Sequence, residues 1–265
     1  MQMRQQLQIE GIDVYVEGDG AETIVMIHGW PDTYRLWDAQ VDAFKNRYRC
    51  VRFTLPGFDS SKPRRAYSLA VTMQIFKAIV DQVSPGRKVI LMLHDWGCLF
   101  GYAFYMQHPA LVSRIIGIDI GDVTSPEYPA SISTKAKLMI FSYQIWLAIA
   151  WRVGGAVGDG MTRFMVRALQ CKSDPQYISS GMNYPYYIRW AGAYGSYKDI
   201  APLSVECPML FIYGLKKPFA FHSQKWLDRL ARKPACRVVA LETDHWVMRG
   251  QPQEFNRAVQ DWLGD

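Results

Sequence analysis

Cysteine is scarce in this sequence. Its five cysteines (Cys50, Cys98, Cys171, Cys207 and Cys236) among 265 residues are odd in number and widely spaced. No CxxC and no Cys/His ligand spacing occurs, so neither a disulfide framework nor a zinc site is expected. The thiols read as reduced, which fits a cytoplasmic protein. No secretory leader is expected, because the opening "MQMRQQLQIEGIDVYVEGDG" is polar and has no apolar core. Long apolar runs are nearly absent. The strongest, Leu138 to Val153 ("LMIFSYQIWLAIAWRV"), falls short of the ~20 residues that a bilayer span requires, and Gln144 and Arg152 interrupt or bound it. It reads as a buried or surface-docked helix, with no stable membrane insertion. The net charge of +6 is dispersed over short groups such as "KPRR", "GLKK" and "RLARK". None has the density of a nucleic-acid stripe, and no nucleic acid is expected as a partner. Internal repeats and low-complexity segments are missing too.

What is present is alternation of short apolar runs with helical patterns. Gln8 to Glu17 alternates as a strand. "TIVMIHG", "YRCVRFTL", Val89 to Leu93, Arg114 to Ile120, "PMLFIYG" and "CRVVALE" read as further strands. Helical spacing lies between them, at Val71 to Val83, Cys98 to Gln107, Ser223 to Ala231 and Gln253 to Leu263. This order predicts an α/β class protein, with a mostly parallel central sheet flanked by helices on both faces. From about 125 to 200 the pattern changes to aromatic helical segments, glycine breaks ("GGAVGDG") and proline turns. The expected division is a core of residues 1–124 and 201–265 with an inserted helical cap of 125–200.

Ligands of such sheets bind beyond the carboxyl ends of the strands, so the residues just after each strand matter most. After Val89 to Leu93 comes His94-Asp95-Trp96-Gly97. A strand, a sharp turn and a helix in that order lift one side chain into reach of a ligand, and such turns usually present serine. Aspartate changes the chemistry. A carboxylate attacks a carbon and forms an ester with the protein, which suits displacement at an sp³ carbon that has no carbonyl. Taken alone, the motif fits a turn-capping aspartate equally well. His245, in "ETDHWVMRGQPQEF", follows the last strand and is the candidate general base. "HGWP" at 28–31 follows "TIVMI". The backbone N–H groups of Trp30 and Trp96 are candidate donors to an oxyanion.

These motifs, His28-Gly29-Trp30-Pro31, "LPGFDSS" at 55–61, His94-Asp95-Trp96-Gly97 and Asp244-His245-Trp246, resemble those of α/β-hydrolase-fold proteins of the epoxide hydrolase and haloalkane dehalogenase branch. The resemblance runs from about residue 8 to the C-terminus and is weakest in the cap. It implies an α/β-hydrolase fold, an Asp95 nucleophile, a water-activating His245, and no metal or organic cofactor. Trp30 stands where many dehalogenases carry a halide-binding asparagine, which favours the epoxide hydrolases. "FSYQ" at 141–144 and "MNYPYY" at 182–187 resemble the cap segments that supply two ring-opening tyrosines. Tyr143 matches the first. Tyr186 is the choice for the second, with Tyr187 and Tyr184 as alternatives, because Pro185 falls where a tyrosine is expected.

One member of the expected triad is displaced. Much of the branch carries the acid that orients the histidine just after the strand "PMLFIYG", where this chain has Lys216 and Lys217. Some relatives carry it after the preceding core strand, and Asp119, 24 positions beyond Asp95, matches that spacing. Asp122 is the alternative acid, and Asp244 is set aside as a sequence neighbour of the histidine. The implied reaction is cofactor-independent hydrolysis of a small apolar epoxide to a vicinal diol. The rival readings are a haloalkane dehalogenase and a non-catalytic ligand-binding protein on the same fold. A homodimer is left open as a further partner.

Overall fold

The alternating stretch read as a single strand over residues 8–17 folds into two. In the computed structural model, which describes residues 4–198 and 200–264, β1 (Gln5–Ile9) and β2 (Ile12–Glu17) form an antiparallel hairpin. Glu10 and Gly11 turn the chain with φ of 50° and 75°, the left-handed pair that a two-residue hairpin turn requires. The ends of the expected domain ranges at 1–3 and 265, together with position 199, lie outside the described residues.

The remaining strands follow the expected order: β3 (Thr23–Ile27), β4 (Arg49–Phe53), β5 (Val89–His94), β6 (Val112–Ile118), β7 (Met209–Gly214) and β8 (Arg237–Leu241). They build one sheet in the order β1-β2-β4-β3-β5-β6-β7-β8, parallel from β4 to β8. Around it pack α1 (Asp38–Phe44), α2 (Leu69–Val83) and α3 (Trp96–Gln107). Between β6 and β7 the chain inserts α4 (Tyr128–Ser131), α5 (Thr134–Val153), α6 (Gly155–Ala168) and α7 (Tyr184–Ala191), and then closes with α8 (Gln224–Ala231), α9 (Val247–Gly250) and α10 (Pro252–Leu263). The "GGAVGDG" stretch is only partly a break. Gly154 and Gly155 take positive φ, but the rest forms the first turns of α6.

Strand periodicity divides the core in two. Val25, Ile27, Leu91 and Leu93 join the cluster that holds Phe76 and Val80 of α2 and Phe104 of α3. Their alternate neighbours Ile24, Met26, Ile90 and Met92 join the one that holds Val41 and Phe44 of α1 and Phe255 and Val259 of α10. Successive strand side chains point to opposite faces, so a sheet buried on both sides needs continuous apolar runs. Each such fully buried side chain contributes about 1.5–3 kcal/mol. Register then positions the strand ends. Ile27 lies beside Leu93, His94 beside Ile118, and Ile118 beside Ile212. The segments that follow β3, β5, β6 and β8 therefore emerge along one edge.

Candidate active site

Asp95 leaves β5 with φ 53° and ψ −123°, a strained conformation for a residue with a side chain. The sharp turn starts α3 at the next residue and leaves the carboxylate at the sheet edge. Close approach of the neighbouring loops makes this turn possible. A Cβ on Gly29 would lie 2.2 Å from Asp95 Oδ1, and one on Gly97 would lie 2.2 Å from the Ile27 carbonyl oxygen. Both positions therefore require glycine.

The backbone N–H of Trp30 donates to Asp95 Oδ1 at 2.6 Å, and the Trp96 N–H donates to the same carboxyl group. The Trp30 loop is braced from below. Leu55 N–H donates to His28 Nε2 at 2.9 Å, so His28 carries its proton on Nδ1, 2.8 Å from the Gly29 carbonyl. Full burial keeps that ring neutral, with its pKa lowered to about 4. From above, the Trp30 indole N–H donates to Asn183 Oδ1 at 2.8 Å, and Asn183 Nδ2 donates to Thr162 Oγ1 at 2.7 Å.

His245 sits between two carboxylates. Its Nε2 is 3.5 Å from Asp95 Oδ2, and its Nδ1 is 2.6 Å from Asp119 Oδ2. Asp119 is fully buried at the end of β6, with φ 67°. Its other oxygen accepts from Gly214 N–H at 3.0 Å and from Lys217 Nζ. The structure thus brings Asp95, His245 and Asp119 together, and Lys217, which occupies the segment where a carboxylate was expected, is the ion-pair partner of Asp119. Asp122 is engaged elsewhere. It accepts from Ser223 N–H (2.7 Å), Ser223 Oγ (2.6 Å) and Ser125 Oγ (2.9 Å), which ties the post-β6 loop to the start of α8.

These contacts set the charges. Burial disfavours ionisation of Asp119, but the hydrogen bond from His245 and the Lys217 charge outweigh it and hold the pKa at about 2. Burial also disfavours the His245 cation, yet its hydrogen bonds to Asp119 and Asp95 prevail and raise it to about 9. Asp95 is lowered despite burial, chiefly by His245. His94, whose ring lies 4.4 Å from that of His245, is kept neutral by burial, with its pKa at about 4. It interacts with the His245 carbonyl at 3.0 Å through Nε2, so it braces the histidine backbone. The side of the loop away from the sheet is held by Asp32, buried, which accepts from Trp246 Nε1 at 2.8 Å and pairs with Arg249 at 3.1 Å.

Above Asp95 and Trp96 a cavity of about 320 Å³ is lined by Tyr143 and Gln144 of α5 and Tyr186 of α7. The Tyr186 ring stands edge-on to Trp30 (6.0 Å), Trp96 (5.2 Å) and Tyr143 (6.2 Å). Tyr143 OH accepts from Gln144 Nε2 at 3.1 Å, and Gln144 Oε1 accepts from the Trp190 indole at 3.0 Å. The Tyr143 proton therefore remains free to be donated. Burial raises the Tyr143 phenol to about 12 and the Tyr186 phenol well above its usual value, so both stay protonated. The alternatives lie elsewhere. Tyr187 is stacked on Trp151 at 4.5 Å, and Tyr184 is fully buried against Phe58 and Tyr67. Sequence reasoning gave no role to Asp32, nor to His94 and Asn183 within their motifs. Each acts through a partner distant in the chain.

Residues 24–258 match the family model described as "Alpha/beta hydrolase family". The chain belongs to the alpha/beta hydrolase family. Among solved structures, this alpha/beta hydrolase resembles an epoxide hydrolase from Bacillus megaterium, with TM-score 0.73 and 20% identity, over 98% of this chain and 100% of that one. It also resembles a thermophilic esterase from Thermogutta terrifontis, with TM-score 0.66 and 17% identity, over 98% of each chain. Likeness at that identity establishes the fold. Epoxide hydrolase 3 of Xenopus tropicalis is 21% identical over 91% of this chain and 71% of its own length. A stretch of 108 residues is 37% identical to the "Probable oxidoreductase EphD" of Mycobacterium tuberculosis, covering 39% of this chain but only 18% of that protein. No helix among the described residues is long and apolar enough to cross a membrane.

Proposed function

We propose that this hydrolase opens epoxides to vicinal diols through an ester on Asp95. One observation carries the reading: Asp95 and two protonated phenols, Tyr143 and Tyr186, line one cavity. An Asp95 oxygen attacks a ring carbon, and the carbon–oxygen bond of the ring breaks. The ring oxygen takes its proton from a tyrosine, leaving a hydroxyalkyl ester. Esterification removes one of the two anions that raise His245, so its pKa falls, its proton passes to the tyrosinate, and the neutral imidazole is then free to act as the base. Water then gives its proton to His245 Nε2 and attacks the ester carbonyl. The Trp30 and Trp96 N–H groups hold the resulting oxyanion. The acyl carbon–oxygen bond breaks, the departing alkoxide takes the proton of the carboxylic acid left on Asp95, and the diol leaves with Asp95 again a carboxylate and His245 again protonated. No step calls on a metal or an organic cofactor.

Two relations favour an epoxide over an alkyl halide. A halide leaves as a stable anion and needs N–H donors, whereas a ring-opened alkoxide needs a proton. The Trp30 indole N–H, moreover, is held by Asn183 and is not free to receive a halide.

The test is a single turnover of a styrene-type or aliphatic epoxide in ¹⁸O-water. The first diol is expected to be unlabelled, its new oxygen coming from Asp95, with the label appearing in the protein. Label in the first-turnover diol would mean direct attack by water and would overturn the ester. Tyr143→Phe and Tyr186→Phe are each expected to lower the rate of ester formation about 10²-fold. Lys217→Met removes the cation that offsets Asp119, so His245 should hold its proton to higher pH. The rising limb of the pH–rate profile for ester hydrolysis is expected to move upward, measured by stopped-flow; a downward or absent shift would contradict it.

A further inference from the structure

Ten large apolar side chains are exposed among the described residues, and nine of them lie between Leu138 and Tyr194. Scattered singly such residues are ordinary, but a cluster marks a surface that something covers. Here the cluster is ordered. On α5, Leu138, Phe141, Ile145, Ile149 and Val153 recur at spacings of three and four residues, one line about 22 Å long. On α6, Val157, Met161, Phe164 and Ala168 do the same. Gly154 and Gly155 turn the chain with positive φ, so α6 runs back along α5. Trp146 joins the two lines: its indole N–H donates to the Met161 carbonyl at 3.0 Å, and its ring lies 5.6 Å from that of Phe164. At one end Phe141 meets Trp190 of α7 edge-on at 5.1 Å. The opposite side of α5, with Leu147, Ala150 and Trp151, is buried. The helix is thus apolar on two sides, and only one of them is used inside the fold.

Charge accompanies this face. α5 and α6 carry five cations, Lys135, Lys137, Arg152, Arg163 and Arg167, and one anion, Asp159. Asp159 already accepts from Ser180 N–H at 2.6 Å. None of the five cationic side chains has an ion-pair or hydrogen-bond partner among the described residues. In the core many cations are paired, as in Lys45–Asp42, Lys62–Asp13, Lys77–Asp81 and Arg114–Glu22. We propose that the outer face of α5 and α6 docks reversibly on an anionic phospholipid membrane, lying in the headgroup region without crossing it. The apolar lines enter the boundary between headgroups and acyl chains. The Lys and Arg stems lie along that boundary while their charges meet the lipid anions. Charge selects this occupant. A second copy on the same face would set two cationic surfaces against each other, whereas an anionic leaflet attracts them. Phe141 and Trp190 also line the cavity above Asp95, so docking turns that opening toward the lipid. Docking depends on no step of the reaction assigned to Asp95.

The test is co-sedimentation of the full chain with vesicles of phosphatidylcholine, alone or mixed with phosphatidylserine. Binding to the anionic vesicles is expected to be tighter by about tenfold or more. It should weaken steeply as salt rises from 0.1 M to 1 M, where the screening length falls from about 10 Å to about 3 Å. Arg163→Gln/Arg167→Gln should cost about 20-fold on anionic vesicles, or about fivefold for each cation. Leu138→Ser/Val157→Ser removes two apolar side chains that are each 67% exposed. It should cost about tenfold in affinity and leave Tm unchanged. Leu215→Ser, which alters the exposed apolar side chain outside this face, should bind as the wild type does. Equal affinity for the two compositions, no sedimentation with either, or full affinity in either double variant would overturn the proposal. Sedimentation velocity tests the rival occupant. A wild-type dimer that Leu138→Ser/Val157→Ser dissociates, with no vesicle binding, would assign the face to a second copy and also overturn the proposal. None of these readouts requires turnover, so failure here leaves the epoxide reading of Asp95 standing.

Discussion

Asp95→Asn is expected to lower turnover of any epoxide by about 10⁴–10⁶-fold, the range seen when a nucleophile that works within a hydrogen-bonded unit is removed. The variant should also lose the mass adduct that the native protein forms with substrate. Folding gives little reason for a loss on that scale. Asparagine keeps the oxygen that accepts the Trp30 N–H at 2.6 Å, and it adds no volume at a turn that already tolerates φ 53°. The change is chiefly one of charge. His245 loses one of the two carboxylates that raise its pKa to about 9 and should titrate lower, which histidine NMR can read. A native protein that never forms an adduct with epoxides or alkyl halides, or an Asn variant that retains its rate, would remove the covalent mechanism.

Asp119→Asn is expected to be nearly as damaging, about 10⁴-fold in turnover, but with the opposite intermediate behaviour. In the proposed cycle Asp119 orients His245 for the second step, so the ester should form and then accumulate, visible as a persistent mass adduct. An unaffected Asp119→Asn together with a crippled Asp122→Asn would reverse the assignment of the acid. Stability complicates the single variant. Asp119 is fully buried, and removing its charge leaves Lys217, only 7% exposed, without its partner. Breaking a buried pair in this way costs about 3–5 kcal/mol. The double variant Asp119→Asn/Lys217→Met removes both charges. It should recover much of the lost Tm without recovering the rate, which separates orientation from folding.

Asp119 and His245 together set a pH window for stability. The Asp119 pKa is lowered from 3.8 to about 2, so its contribution is present above 3.8 and is lost as pH falls through about 2. The His245 pKa is raised from 6.5 to about 9, so its contribution is full below 6.5 and is lost as pH rises through about 9.

The parts of this site that are local in sequence were legible there. The apolar run before His94-Asp95-Trp96-Gly97 announces a buried strand, and glycine two residues past Asp95 marks the close approach that α3 makes to β3. Strand-end placement pointed to Asp119 and His245 because a parallel sheet gathers such residues at one edge. The β1–β2 turn is marked only by Gly11 and by a one-residue slip of the apolar positions, from Ile9 to Ile12, Val14 and Val16, which is easily passed over as continuous alternation. Lys217 was legible only as an anomaly. Its meaning depends on β6 and β7 being neighbours, and no spacing along the chain encodes that pairing. The role of Asn183 was invisible for a related reason: its partners, Trp30 and Thr162, lie on segments that converge only when the insertion packs down on the strand ends.

That neighbourhood of β6 and β7 has a consequence for how such a chain can change over generations. Asp119 receives the N–H of Gly214, so a carboxylate arriving from either strand end can reach the same histidine. The acid belongs to a location in space that two positions in the chain can supply. In this chain the β6 end supplies the carboxylate and the β7 end supplies Lys217, the cation that complements it.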